Sequence, residues 1–154
     1  MSQDYIPLAT VTLASSASSV TFSNIPATYR DLVLVYAGSG TAATEVWATL
    51  NGSTANGSTV VMLGTGSAAQ SSTSAAITIG TIDTTICNNI VQFMDYSATD
   101  KHKTILTRSN RAGAGTLAYA TRWAITSAIT SIAVVPQSGT FNSGHTFALY
   151  GIVA

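Results

Sequence analysis

The chain has 154 residues, enough for one domain with a sizeable core, and its six basic and six acidic residues leave no net charge. Only 8% of the residues are charged, against roughly a quarter in an ordinary soluble domain. This balance excludes the basic surface that nucleic acid binding requires, and no apolar stretch is long enough to span a bilayer. Neither nucleic acid nor a membrane is therefore expected as a partner.

Hydroxyl-bearing residues take the place of the missing charges. Serine and threonine make up about a quarter of the chain, and threonine is β-branched and suits strands. A surface so poor in charge has little electrostatic repulsion to oppose association. The composition fits an extracellular-type β-sandwich, but it favours a surface that is largely buried against copies of itself or other chains. No basic segment followed by an apolar core opens the sequence, so no secretory signal peptide is expected.

The N-terminal segment contains a proline just before the first alternating strand. Pro7 interrupts ladder pairing and favours an extended path at a sheet edge. Residues 1–8 are therefore predicted to form an arm that docks on a neighbouring subunit or on the protein shell of a larger assembly. Tyr5, Ile6 and Leu8 would be its apolar anchors. The alternative is that the segment completes the sandwich of its own chain.

Period-2 alternation and short apolar runs then continue to the end of the sequence. They predict strands over 10–13, 19–22, 32–36, 46–50, 59–63, 76–82, 90–96, 104–108, 117–123, 132–135 and 147–152. Asn51-Gly52 is a strong signal for a tight turn, and the stretch 64–74, rich in Gly, Ser, Thr and Ala, predicts a surface loop. The apolar residues expected in the core are Phe22, Leu32, Leu34, Ile132 and Leu149.

These eleven segments, expected to give about nine or ten short strands, and the lack of a helix of useful length predict one all-β domain over residues 1–154. We expect an antiparallel two-sheet β-sandwich that is jelly-roll-like. An immunoglobulin-like sandwich is less favoured, because the sequence lacks that fold's Cys…Trp…Cys spacing.

The sequence contains few residues of the types that catalyse reactions. The histidines are His102 and His145, and the single glutamate, Glu45, has no acid nearby to pair with. The lone cysteine, Cys87, excludes an intramolecular disulfide and is predicted to be a small buried hydrophobe. The sequence therefore predicts a protein that is not an enzyme, with no catalytic residues, no cofactor and no metal.

Two further groups of residues are candidates for contact with partners. The aromatic residues Trp47, Tyr119, Trp123 and Tyr150 could stack on a sugar, but their strand positions favour core or subunit interface. Four basic residues gather within eleven positions, where they either form a solvated hairpin edge or meet an acidic partner. With the N-terminal arm they give the candidate interface residues: Tyr5, Ile6, Pro7, Leu8, Lys101, Lys103, Arg108 and Arg111.

Three segments resemble structural proteins of tailed bacteriophages. They are 20–34, which reads VTFSNIPATYRDLVL, the LNG at 50–52, and a C-terminal part that combines AITSI at 128–132, SG at 138–139 and LYGI at 149–152. Together these segments frame most of the chain.

The resemblance implies a virion component, assembled in the cytoplasm of a bacterial host. The favoured role is a capsid decoration (cement) protein that forms a homotrimer and binds the phage major capsid protein. The alternative is a tail, baseplate or fibre component that binds a carbohydrate or receptor on the host surface.

Overall fold

Strands occupy most of residues 5–153, the part of the chain that the computed structural model describes. Small and β-branched residues in alternating patterns favour this conformation, and no helix occurs between residues 5 and 153. The strands are β1 (Tyr5–Thr12), β2 (Val20–Phe22), β3 (Asp31–Gly38), β4 (Thr44–Leu50), β5 (Gly57–Gly64), β6 (Ala69–Ser74), β7 (Thr78–Ile82), β8 (Cys87–Met94), β9 (Lys103–Arg111), β10 (Gly115–Trp123), β11 (Ile132–Pro136) and β12 (Thr146–Ile152).

These strands form two antiparallel sheets that pack as a sandwich. The large sheet has eight strands in the order β1-β12-β3-β8-β9-β10-β5-β6, and the small sheet has four in the order β2-β11-β4-β7. The quartets β1-β12-β3-β8 and β2-β11-β4-β7 interleave along the chain as two Greek keys do, which is the jelly-roll arrangement. The hairpins β5–β6 and β9–β10 are additions that extend the large sheet beyond β8. The expected all-β jelly-roll-like sandwich is thus confirmed.

The core lies between the two sheets and is built from alternate residues of each strand. In β4 every second residue is buried, from Thr44 to Leu50. The five residues expected in the core all expose 4% or less of their surface; they are Phe22, Leu32, Leu34, Ile132 and Leu149. Cys87 is also fully buried, as predicted. Apolar alternation in the sequence therefore identifies the inner face of each sheet correctly.

Two tight turns show how local sequence ends the strands. Asn51 and Gly52 have φ of 50° and 77°, the left-handed pair that this dipeptide accepts at low cost. In the second turn Gly66 has φ of 88°, and the Thr65 amide donates to the Ala68 carbonyl at 2.9 Å. A glycine at the first central position is typical of a type II′ hairpin turn.

The second turn corrects one sequence expectation. Residues 64–74 were expected to form a loop, but Ala69–Ser74 form β6, which pairs with β5. Every residue of β6 is polar or alanine, so no apolar alternation marks it as a strand. With β6 the described part of the chain has twelve strands, more than the nine or ten expected.

The N-terminal segment differs from the predicted docking arm. Residues 5–8 belong to β1, which pairs with β12 of the same chain from Tyr5 opposite Ile152 onwards. Leu8 packs against the core, and burying it there anchors the strand. Pro7 coincides with a register shift in the ladder, as expected where an amide donor is missing. The segment thus completes its own sheet; the rest of the predicted arm, residues 1–4, lies outside the described residues.

Candidate functional site

The four basic residues predicted to act together are separated by the fold. Lys101 is exposed and pairs with Asp95 at 3.4 Å beside the β8–β9 turn. Arg108 is exposed on β9, and Arg111 pairs with Asp83 at 3.1 Å. The amide of Thr84 and the Arg111 guanidinium hold the pKa of Asp83 below its usual value. Lys101 precedes β9 and Arg111 ends it, so the length of this strand separates the two side chains.

Lys103 is the clearest correction among the predicted interface residues. Its side chain is fully buried, and its ammonium donates to the carbonyls of Ala98, Lys101 and Thr126 at 2.6, 3.0 and 3.1 Å. Burial lowers the pKa of this ammonium, while three carbonyl dipoles satisfy its three donors. Lys103 therefore ties loop segments together and is not available to a partner.

The outer face of the large sheet, which points away from the small sheet, carries an unusual number of apolar side chains. Val60, Met62, Ile90 and Leu106 expose 44%, 50%, 39% and 43% of their surface. All four lie on strands of the large sheet and alternate with inward-facing neighbours such as Val61 and Val91. A large exposed apolar area of this kind marks an interaction surface.

Strand pairing arranges these side chains in two adjacent rows across the sheet. The first row runs through Pro7, Tyr150, Val33, Gln92, Leu106, Ala120 and Val60. The second runs through Ala148, Val35, Ile90, Arg108, Ala118 and Met62. Within these stretches only Gln92 and Arg108 are polar; beyond them the rows end at the polar Thr73 and Ser71 on β6, and the second row begins at Thr10 on β1. We call the two rows the apolar band.

More polar rows border the apolar band on both sides. On one side the row contains the polar residues Asp31, Thr104, Arg122 and Ser58 together with the apolar residues Tyr5, Ile152 and Met94; on the other side the row includes Thr146, Asn88, Asn110 and Thr116. An apolar centre with a polar rim is the usual anatomy of a protein interface. The face is also concave: Tyr5 on β1 and Met62 on β5 line the same depression of about 460 Å³, although five strands separate β1 from β5.

The aromatic residues singled out in the sequence divide between core and surface. Tyr119 and Trp123 are each 2% exposed and belong to the interior, where burial raises the pKa of Tyr119. Trp47 is partly buried and donates through Nε1 to Glu45 at 3.1 Å. Tyr150 lies in the apolar band, with its ring edge-on to Tyr5 at 6.4 Å between centroids. Tyr5 and Tyr150 are therefore the pair on the outer face.

The two histidines occupy unlike environments and do not converge on a common site. His102 is exposed beside the start of β9, whereas His145 is 1% exposed and stacks on Phe147 with 4.6 Å between ring centroids. Its Nδ1 lies 3.2 Å from the Ser39 carbonyl, and burial lowers the pKa of the imidazole. Among the described residues, no three or more His, Cys, Asp or Glu side chains are grouped so as to hold a metal ion.

The apolar band is the functional candidate that sequence reasoning missed, although a signal for it is present. In 59–63 and 32–36, apolar residues occupy both phases of the alternation, as in Val60-Val61-Met62-Leu63. A run of this kind indicates a strand covered on both faces. In the described part of the chain the small sheet covers only one of those faces. No helix between residues 5 and 153 is long and apolar enough to cross a membrane.

Comparison with known proteins adds no functional assignment. No protein-family model matches the chain, and no curated protein matches it. Similar solved structures include a sucrose-6-phosphate hydrolase from Lactobacillus gasseri, with 10% identity, a TM-score of 0.35, and coverage of 89% of this chain and 28% of that one. A tetrameric galectin from the ball sponge Cinachyrella sp. has 10% identity, a TM-score of 0.42, and coverage of 87% and 99%.

A third similar structure is the alginate lyase Aly36B with two substitutions, in complex with alginate tetrasaccharide. It has 14% identity and a TM-score of 0.35, and the match covers 93% of this chain and 77% of that one. The chain thus spans less than a third of the hydrolase. Similarities this low carry no argument about what the chain binds or does.

Proposed function

We propose that the chain is a structural, non-enzymatic component of a bacteriophage virion, and that it serves as a capsid decoration (cement) protein. The apolar band would be buried against the major capsid protein in the assembled particle. The resemblance of 20–34 and of the C-terminal part to phage structural proteins supports this role, as does the two-sheet jelly-roll architecture, which occurs in viral capsid domains.

The observation that carries the proposal is the unpartnered apolar band. Leu106, near its centre, and Met62, at its β5 end, expose 43% and 50% of their surface. Typical soluble monomers rarely leave a large contiguous patch of this kind in water. Burying such side chains stabilises a contact by about 25 cal/mol per Å² of apolar area. The polar residues of the rim would fix how the partner is oriented on the apolar band. A particle lattice that offers many copies of one matching surface supplies such a partner.

The test places a charge in the centre of the apolar band. Leu106→Lys is expected to abolish retention on purified phage capsids, because an unpaired ammonium would be desolvated in the contact. The matched control is Ile86→Lys, since Ile86 is 68% exposed and lies between β7 and β8, outside the apolar band. Both variants should unfold within about 0.5 kcal/mol of the wild type, as surface substitutions do. Retention of Leu106→Lys at the wild-type level would contradict the proposal.

A second candidate function is a tail, baseplate or fibre component that binds a host-surface carbohydrate. The concave depression favours it, because Tyr5, Gln92 and Arg108 all line that depression. An aromatic ring and amide and guanidinium donors that line one depression are a suitable combination for a sugar. Glycan binding that is lost in Tyr5→Ala and Arg108→Ala, with no binding to capsids, would favour this role over capsid decoration.

A further inference from the structure

The two sheets present four edge strands, and three of them are protected against pairing with another chain. Strand β1 contains Pro7 and a register shift beside it, and both features disrupt a ladder. Strand β2 has only three residues, so it offers a very short template. Proteins commonly use such devices to prevent edge-to-edge association.

The edge of β7 is protected differently, by side chains from the large sheet. The amide of Thr78 donates to Thr59 Oγ1 at 3.3 Å, and Thr121 Oγ1 donates to the Thr78 carbonyl at 3.0 Å. Asn89 makes two bonds to the backbone of Thr81, one to the amide at 3.1 Å and one to the carbonyl at 3.0 Å. These hydrogen bonds satisfy backbone groups that an edge strand would otherwise leave free.

Strand β6 has none of these protections within residues 5–153. Its six residues read AQSSTS, with no proline and no charge, and five of the six are exposed. It pairs with β5 in continuous register from Ala69 to Ser74, without a bulge. An exposed, regular and neutral edge of this length is a template for a further strand.

The turn at Gly66-Ser67 determines which backbone groups of β6 are free. Because Thr65 and Ala68 form the hydrogen-bonded pair that closes the turn, hydrogen-bonded and non-hydrogen-bonded pairs alternate from there. Gln70, Ser72 and Ser74 therefore direct their amides and carbonyls toward β5. Ala69, Ser71 and Thr73 direct theirs to the outside.

We propose that β6 pairs with β6 of a second copy of this chain, antiparallel and about a two-fold axis at Ser71. In this register Ser71 faces its own counterpart, and Ala69 faces Thr73 of the other copy. Each of these facing pairs exchanges two backbone hydrogen bonds. The outward groups of one β6 are thus complementary to those of an identical strand.

The neutrality of β6 is the reason to assign a second copy as the occupant. An identical partner brings no like charge to the edge, and it places only small hydroxyl and methyl side chains opposite one another. A two-fold contact is also the commonest symmetry of soluble homo-oligomers. The pairing would join two large sheets into one, with both apolar bands on the same side. This inference does not depend on the proposed virion role.

The experiment measures the mass of the purified full chain by sedimentation between 1 and about 100 μM, concentrations that span weak to strong self-association. The wild type should sediment at twice its monomer mass of 15.8 kDa. Ser71→Lys should halve that mass, because it places two ammonium groups opposite each other. Ser71→Pro should also halve the mass, since it removes an outward-facing amide donor but leaves the backbone hydrogen bonds to β5 in place. The matched control, Thr10→Lys on the exposed edge strand β1, should remain dimeric.

Hydrogen exchange supplies a second measurement. The amides of Ala69, Ser71 and Thr73 should exchange at least tenfold more slowly in the wild type than in Ser71→Lys, because only the dimer satisfies them. A wild type that is monomeric at about 100 μM, or a Ser71→Lys variant that keeps the wild-type mass, would overturn the inference. A trimer would also overturn it, and would instead agree with the homotrimer expected from the resemblance.

Discussion

Among single residues, Lys103 stands out because its charged ammonium is fully buried. Its ammonium joins the β8–β9 connection, through Ala98 and Lys101, to the segment after β10, through Thr126. Lys103→Met keeps much of the side-chain volume but leaves three carbonyls without their donor. We expect it to lower the free energy of unfolding by about 2–4 kcal/mol, because hydrogen bonds to charged groups contribute more than neutral ones. Urea denaturation measures this change.

The control for Lys103→Met is the same substitution two residues earlier. Lys101 is exposed and its ion pair with Asp95 is open to solvent, so Lys101→Met should change stability by no more than about 0.5 kcal/mol. Equal effects of the two substitutions would mean that the buried ammonium does not organise these loops.

His145 makes the stability of the fold depend on pH. Burial lowers the pKa of its imidazole in the folded state, whereas the unfolded chain has a value of about 6.5. Above that value both states are neutral, and stability does not depend on this group. As the pH falls below about 6.5, only the unfolded state binds a proton readily, so stability decreases until the lowered folded-state pKa is reached. Urea midpoints should therefore fall between pH 7.5 and pH 5.

Two variants isolate the contribution of His145. His145→Phe preserves a ring against Phe147 and Phe141 and should flatten the decrease in stability over this pH range. His102→Gln, at an exposed position, should retain the wild-type decrease. An unchanged pH profile in His145→Phe would show that another group is responsible.

The contrast between Cys87 and Lys103 shows how far residue-level prediction reaches. Cys87 was correctly expected to be buried, because its neighbours supply no charge and its own side chain is apolar. Lys103 was expected at the surface, because long cationic side chains are almost always solvated. Its burial depends on three carbonyls from two separate loops, and no pattern along the chain reveals that they converge.

At the scale of elements, the β5–β6 hairpin depends on one glycine. Gly66 has φ of 88°, and no heavy atom lies within 4 Å of a Cβ placed there. Gly66→Ala should therefore destabilise the hairpin by about 1 kcal/mol through backbone strain alone. Faster hydrogen exchange of the β5–β6 amides, together with urea denaturation, would report it.

Gly64 provides a matched control for this prediction. A Cβ at Gly64 also meets nothing within 4 Å, but its φ is not in the left-handed region. Gly64→Ala should be neutral or slightly stabilising, since alanine restricts the unfolded chain more than glycine does. If both substitutions cost the same, the turn at Gly66 is not under the conformational constraint that we describe.

Prediction of elements succeeded where apolar residues alternate and failed where they do not. The strand at 32–36 was correctly predicted from its apolar run and appears as β3. Strand β6 was missed because its only cue is the turn: Gly66-Ser67 has the composition of a two-residue hairpin turn. The flanking residues 69–74 are polar or alanine, and this loop-like composition outweighed the turn signal at Gly66-Ser67.

At the scale of the whole molecule, the large sheet has one face in the core and one face in solvent. Leu34 is fully buried between the sheets, whereas Val35 points to the outer face and belongs to the apolar band. Leu34→Ala should cost about 2–5 kcal/mol, because it removes core contacts and leaves a cavity. Urea denaturation of the isolated chain measures the change.

The neighbouring variant separates stability from binding. Val35→Ala should cost less than half as much as Leu34→Ala, because the outer face is not packed against the small sheet. If the virion proposal is right, Val35→Ala should weaken capsid retention nevertheless. A change below about 0.5 kcal/mol in Leu34→Ala would be typical of a surface site and would contradict the assignment of the two faces.

The architecture could be predicted from the sequence, but the function does not follow from it. Jelly rolls occur in viral capsid and lectin domains alike, so a role must be argued from a site. Here the site is a surface spread over strands that are distant in sequence, from Pro7 to Tyr150. Its rows can be recognised only when the strand order is known, and the alternation along a single strand does not reveal that order.

The pairing of β1 with β12 also sets the order in which the chain can fold during translation. Tyr5 pairs with Ile152, so the first strand emerges from the ribosome long before its partner is synthesised. At roughly 5–20 residues per second this delay is on the order of ten seconds. The nascent chain must keep a nearly uncharged, strand-forming segment unpaired for that time. Closure of the large sheet must therefore wait until β12 has left the ribosome, and chaperone supply during expression should affect the soluble yield.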